Sequence, residues 1–396
     1  MSLGLIVTWT LMLLVKRLDA VERILMVQVD NRGLPDLDSE GGSGGDELQM
    51  STAPYWMLTP VLNHHYCRRH GYDYLLVHPM LDVSVLQRSG GLRGFDNSST
   101  DGRAAVGAWH KGLGQARAAS WAKLPTLLYL LLQLGSRYDR IWYLDSDIGL
   151  SDQASGRSVH EKIIEWNTGA KCLGPPRKTA CVNWGLQDVS SSPMLLFPNS
   201  PFGDSEPCAG TFMFRPSVAA SMLLEWWDID MPEKNFGLMH EQDALWNLTS
   251  DKHDRELARA QLNFSSHLSR RSVTLLQEFQ FPPNGPVTAD KKERCVGGKQ
   301  WICHLITTDH ELRAPWFREM LARPENGAYS PQRFRAAVHH IRRNLMVHKL
   351  DMVAAAEAIE RHRESLVRNL LDSVTLSAAE KLDLPRGLGL KQDFRF

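Results

Sequence analysis

The stretch "YDRIWYLDSDIGLSD", residues 138 to 152, ends an apolar run on two carboxylates. Ile141, Trp142, Tyr143 and Leu144 have the aromatic and β-branched bias of a buried strand, and Asp145 and Asp147 follow at its C-terminal end. Side chains at i and i+2 of an extended segment point the same way, so both carboxylates can face one point just beyond a sheet edge. Such a pair suits a hard divalent cation, and the ion can bridge a ligand's phosphates. A diphosphate leaves readily only when its developing charge is neutralised, which a metal does as a Lewis acid. A lone D-x-D also arises when one aspartate caps a turn and the other is solvated, so the pair takes its meaning from its company.

That company is spread along the chain. Lys123 stands in "SWAK", and Ala209 and Gly210 precede the short apolar run "TFMF". "HEQDALWNL" places Glu241, Gln242 and Asp243 at the start of a helical pattern, and "ICHLITTDHELR" carries His304 and His310. Each has an ordinary structural reading: a solvated helix lysine, a turn before a strand, an acidic helix start favoured by the macrodipole, a satisfied histidine.

The elements needed to position these residues can be read from the apolar pattern. "RILMVQVDN" (23 to 31) is a buried first strand, and "APYWMLTPVLNHHYCRRHGYDYLLVHP" supplies a helix closed by Gly71, then a strand from Asp73 to His78. Residues 80 to 108, rich in Gly, Ser and Asp, read as a surface insertion. Residues 116 to 147 give a helix, Gly135 and the Asp-tipped strand; a Pro- and Ser-rich connection spans 174 to 207. A strand near Thr211 to Phe214, a helix from Ser217, a helix at 239 to 248 and a strand-loop-helix over 299 to 321 complete the main body. From Pro331 onward the pattern is helical with mixed charge. Alternating helices and apolar strands predict an open, mostly parallel α/β sheet, whose ligands bind outside the carboxyl ends of the strands.

Composition bounds the function. The 396 residues can bury a large core, and 45 Lys plus Arg balance 45 Asp plus Glu, so no global field recruits nucleic acid. Residues 3 to 15, "LGLIVTWTLMLLV", are apolar but shorter than the ~20 needed to span a bilayer. They read as a secretory signal or short signal anchor over residues 1 to 20, with possible membrane attachment. In that pathway Asn97, Asn247 and Asn263 would be glycosylation acceptors, and the near pairs Cys172/Cys181 and Cys295/Cys303 could close short loops.

The order of "HGYDY" (70 to 74), "SWAKLPTLLYLL" (120 to 131), "IWYLDSDIGL" (141 to 150), "CAGTFMFRPS" (208 to 217) and "HEQDALWNL" (240 to 248) resembles the GT-A class of nucleotide-sugar glycosyltransferases. More narrowly it resembles the family of plant xyloglucan xylosyltransferases and fungal α-galactosyl- and α-mannosyltransferases. The resemblance implies a Rossmann-like GT-A domain over 21 to 325, a mixed, mostly parallel sheet flanked by helices, with a helical extension over 326 to 396. It implies Mn²⁺ or Mg²⁺ held by Asp145, Asp147 and His304, with His310 as the alternative. Asp145, Ser146, Asp147, Lys123, Ala209 and Gly210 would bind the donor. Glu241, Gln242 and Asp243 would be the catalytic residues, with Gln242 beside the anomeric carbon. Asp243 stands where the family has a small polar residue, a departure that bears on how the acceptor hydroxyl is held. Transfer from a nucleotide sugar, UDP-sugar favoured, to a glycan or glycoprotein, with retention, in the Golgi lumen, is what the resemblance implies.

Two other readings compete. D-x-D also opens phosphohydrolase motifs of the D-x-D-x-T type, but Gly149 stands at the fifth position here. A non-catalytic carbohydrate-binding relative of the same fold is the other.

Overall fold

The computed structural model describes residues 22–32, 49–82, 106–151, 159, 195–198, 207–229, 240–248, 273–276, 302–305, 310–344 and 348–373. The apolar segment 3 to 15, the acceptors Asn97 and Asn263, and three cysteines, Cys172, Cys181 and Cys295, lie outside them.

Strand β1 (Ile24–Val29) is flanked on both sides by parallel neighbours, β2 (Asp73–Met80) and β5 (Arg140–Leu144), with Met26 opposite Tyr74 and Trp142. A strand buried on both faces is apolar throughout, which is why Ile24 to Val27 show no alternation. Helix α1 (Tyr55–His70) joins β1 to β2. It ends at Gly71, whose φ of 73° is a left-handed conformation that glycine takes without penalty, and Arg68, Arg69 and His70 lie against its negative end.

Strands β3 (Val106–His110) and β4 (Gln115–Ala118) form a hairpin that leads through a 3₁₀ turn (Ala119–Ala122) into helix α2 (Lys123–Leu134). The helix expected from residue 116 thus opens at Lys123, because residues 115 to 118 pair with β3. After β5 comes the short β6 (Ile148–Leu150), then β7 (Leu195–Pro198), a strand inside the connection that its Pro and Ser content did not announce. Strand β8 (Thr211–Phe214), helix α3 (Pro216–Trp227), helix α4 (His240–Leu248) and β9 (Val273–Leu276) follow. Pro216 takes the first helical position, where its missing N–H costs nothing. Asn247 lies in α4.

The chain continues with β10 (Ile302–His304), helix α5 (His310–Ala322), helix α6 (Pro331–Asn344), β11 (His348–Asp351) and helix α7 (Met352–Ser373). The helical pattern after Pro331 is therefore interrupted by a strand that pairs parallel with the edge of β2. The main sheet has seven strands in the order β11-β2-β1-β5-β8-β7-β9, and β8 runs antiparallel to both neighbours. It is a mixed, mostly parallel sheet flanked by helices, an α/β architecture.

One face of the sheet is covered by α1, α5 and α6 through Leu58, Leu62, Phe317 and Phe334. The other is covered by α2, α3, α4 and α7 through Leu124, Trp226, Leu245 and Ile359. Burying side chains such as Phe317 and Phe334 contributes about 1.5–3 kcal/mol each. The chain passes from β1 to β2 on one side and to β5 on the other, so the sheet's switch point lies between the carboxyl ends of β1 and β5. Asp30 and Asp145 follow those ends.

Candidate metal centre and adjoining cavity

Strand β5 stops at Leu144 and the chain turns through Asp145, Ser146 and Asp147 before β6. The Asp145 N–H donates to the Gly210 carbonyl at 2.8 Å and the Ile148 N–H to the Asp145 carbonyl at 3.1 Å. Strand β6 pairs antiparallel with β10, Ile148 opposite His304, and the Leu305 N–H reaches the Asp147 carbonyl at 3.2 Å. That two-stranded ladder carries a histidine from more than 150 residues downstream to the turn. His304 Nε2 lies 3.2 Å from Asp147 Oδ1, and one ligand atom each of Asp145, Asp147 and His304 fall within 4.8 Å of one another.

The donor set fits a divalent ion: two carboxylates for a hard cation and one imidazole that completes the set. Gly210 makes room for it, since a Cβ there would stand 2.3 Å from His304 Cε1. Gly149 is required likewise by Phe317, which would lie 2.7 Å from an added Cβ. His310 opens helix α5, and its side chain is not among those described.

Protein cations already face both aspartates. Lys123 Nζ lies 3.2 Å from Asp145 Oδ1, 2.9 Å from Glu241 Oε1 and 3.1 Å from the Ala209 carbonyl. Burial opposes its charge, yet Asp145 and Glu241 hold its pKa above the usual lysine range. Glu241 lies low for a glutamate because Lys123 and Ser120 outweigh its burial. Burial pushes Asp145 up, against the pull of Lys123, and the nearby Asp147 adds to the rise. Asp147 is the reverse: despite burial, His304 and Arg313 hold it below the carboxylate range. His304 is pushed up to about 10, its burial overcome by Asp147.

Helix α4 meets this cluster from the other side. Gln242 Oε1 accepts the Ala209 N–H at 2.5 Å and its Nε2 donates to the Pro207 carbonyl at 2.6 Å, so both ends of the amide hold the 207–210 turn. Trp226 Nε1 donates to the Glu241 carbonyl at 2.9 Å. Asp243, half-buried, is the next residue of the helix. A cavity of about 130 Å³ adjoins the cluster, lined by Asp30, Arg32, Ser120, Lys123, Asp145 and Ser146 among others.

Several residues here carried no motif signal. Thr59 Oγ1 donates to the Ser146 carbonyl at 2.7 Å and accepts from Gln28 Nε2 at 3.0 Å. Asn63 Nδ2 donates to the Ile148 carbonyl at 2.9 Å, and its Oδ1 accepts the Leu150 N–H at 3.0 Å. Helix α1 thus pins the turn through two polar residues four apart on its buried face, a spacing visible in "LTPVLN". Arg313 Nη1 reaches Asp147 Oδ2 at 3.0 Å, while Arg32 pairs with Asp30 at 2.6 Å and donates to Ser146 Oγ at 2.7 Å. Cys303 is disulfide-bonded, whereas Cys67 and Cys208 are buried free thiols.

No family model matches the chain, and no curated protein matches it. Among solved structures it is similar to a glycosyltransferase involved in the glycosylation of the major capsid of PBCV-1, at 11% identity, covering 74% of this chain and 98% of that one, with a TM-score of 0.40. It is also similar to the glycosyltransferase GlyE of Streptococcus pneumoniae TIGR4, at 11% identity over 81% of this chain and 63% of that one, TM-score 0.36. The galactosyltransferase LgtC is similar at 13% identity over 80% and 95%, TM-score 0.28. At such identities and TM-scores the site's own geometry, not the likeness, decides what the chain can do.

Proposed function

We propose that the chain is a metal-dependent glycosyltransferase of the GT-A class, moving a hexosyl or pentosyl unit from a nucleotide sugar to a glycan or glycoprotein. The observation that carries this reading is the gathering of Asp145, Asp147 and His304 beside a polar cavity at the sheet's switch point. A Mn²⁺ or Mg²⁺ ion held by those three residues would supply Lewis-acid neutralisation of a departing diphosphate. The cavity between Asp30, Arg32 and Ser146 would take the nucleoside, UDP favoured. Lys123 holds Asp145 and Glu241 in place, and Ala209 and Gly210 form the wall facing the donor. Glu241, Gln242 and Asp243 would lie on the sugar side, where carboxylates and amide oxygens stabilise positive charge at the anomeric carbon.

The narrower kinship with plant xylosyltransferases and fungal α-galactosyl- and α-mannosyltransferases belongs to the same proposal. So does retention, in which the acceptor hydroxyl attacks on the face the diphosphate leaves and gives its proton to the leaving phosphate. The proposed organisation is a signal or short anchor over 1 to 20, a catalytic domain over 21 to 325 and a C-terminal extension over 326 to 396, placed in the secretory pathway at the Golgi lumen.

The deciding experiment incubates the full chain with UDP-sugars and GDP-sugars with and without Mn²⁺. Metal-dependent release of UDP or GDP, abolished in Asp147→Ala, is the expected result; turnover of none of them removes the enzyme reading.

A further inference from the structure

Arg313, on α5, is 7% exposed and sits directly on the candidate metal centre. Its Nη1 lies 3.0 Å from Asp147 Oδ2 and donates to the Tyr55 hydroxyl at 3.2 Å, with the guanidinium 5.1 Å from that ring's centre. The same hydroxyl accepts Arg32 Nη1 at 2.9 Å, so one phenol oxygen tethers two arginines beside the D-x-D turn. His304 takes the other oxygen of Asp147.

A divalent ion arriving alone neutralises the Asp147 carboxylate that Arg313 faces at 3.0 Å, and so comes close to the guanidinium in a poorly solvated place where like charges repel strongly. An ion arriving with a diphosphate meets a different situation. The phosphates bring the negative charge that the guanidinium has just lost, and its planar fork suits phosphate as well as carboxylate. Lys123 is not placed for this exchange, since it is held between Asp145, Glu241 and the Ala209 carbonyl.

We propose that Arg313 is the resident counter-cation of the candidate metal centre: it holds Asp147 until an ion binds, opposes a divalent ion arriving alone, and passes to the diphosphate when ion and nucleotide bind together. The proposal rests on the nucleotide-sugar reading and deepens it. Ion and nucleotide each raise the affinity for the other, by the same factor, as linkage requires. Tyr55, touching both arginines, is the pivot.

The test measures Mn²⁺ binding to the full chain from the electron paramagnetic resonance of the free ion, with and without UDP or GDP, and nucleotide binding by calorimetry. Wild-type protein binds Mn²⁺ weakly alone and at least about tenfold more tightly with the nucleotide. Arg313→Gln binds Mn²⁺ alone about tenfold more tightly than wild type and loses most of the gain from nucleotide. Arg313→Lys, which keeps the charge, stays near wild type for Mn²⁺ alone, and thermal melting checks that each variant is folded. Equal Mn²⁺ affinity of wild type and Arg313→Gln overturns the proposal. So does wild-type protein that binds Mn²⁺ as tightly without nucleotide as with it, a result needing no variant. Wild type that binds Mn²⁺ but neither nucleotide fails differently: it removes the nucleotide-sugar reading, and the transfer of Arg313 with it.

Discussion

His304 gives the residue scale its clearest pH dependence. Its folded pKa of about 10 means the imidazole is protonated at neutral pH in the metal-free protein, whereas a metal takes the neutral ring. Metal binding must therefore release a proton, and affinity should rise about tenfold per pH unit below that pKa. Calorimetry in buffers of different ionisation enthalpy reads the released proton; an affinity flat from pH 6 to 8 contradicts the assignment. Lys123→Met leaves Asp145 and Glu241 buried without their cation, at a cost of about 3–5 kcal/mol in denaturant unfolding. A loss below 1 kcal/mol would show that the trio carries no net stability. In Gly210→Ala the new Cβ lands on the imidazole, so Mn²⁺ affinity should fall at least tenfold, and the overpacking should cost about 1–3 kcal/mol in denaturant unfolding. The two aspartates were legible from their spacing at a strand end, whereas His304 was named, with His310 as the alternative, through the family resemblance. Arg313 and Arg32 were not, because an arginine outside any motif says nothing of what it touches.

At the scale of elements, the turn carrying the aspartates is set by what packs on either side of it. Helix α1 supplies Thr59 and Asn63, and the β6–β10 ladder supplies His304. Asn63→Leu strands the Leu150 N–H and the Ile148 carbonyl, and should cost about 1–3 kcal/mol for each buried group left unsatisfied. It should also weaken Mn²⁺ binding. Leu62→Val on the same helix trims one methylene, costs about 1 kcal/mol and leaves the metal affinity alone. If both variants shift metal binding equally, the helix does not pin the turn. Strands β1, β2, β5 and β8 were legible as dense apolar runs. Strands β4 and β11 were not: "QARA" and "HKLD" have no strand pattern, and each is extended only because a partner's backbone lies beside it.

Among the described residues, 331–344 and 348–373 close one edge of the sheet. Strand β11 pairs with β2, α6 packs its Phe334 and Ile341 into one core, and α7 packs Met352 and Ile359 into the other. His64 lies where α1 meets α6, its ring 5.3 Å from that of His340. Burial, with His340, Arg68 and His65 adding to it, lowers its pKa from 6.5 to about 4. The unfolded chain then binds the proton more readily than the folded one. The stability gained from a neutral His64 is complete above pH 6.5 and is lost as pH falls towards 4. Melting temperature should drop across that window, and His64→Phe should flatten the drop; an unchanged slope would assign the acid sensitivity elsewhere. The sequence by itself determined the α/β class, the central strands and the aspartate pair at a strand end, because burial pattern and spacing are local properties of the chain. Only the tertiary structure decided that His304 meets Asp147, that Lys123 bridges Asp145 and Glu241, and that Arg313 pairs with Asp147. Those contacts join residues roughly 20 to more than 150 positions apart, and their distances follow from strand register and helix packing, which no local pattern specifies.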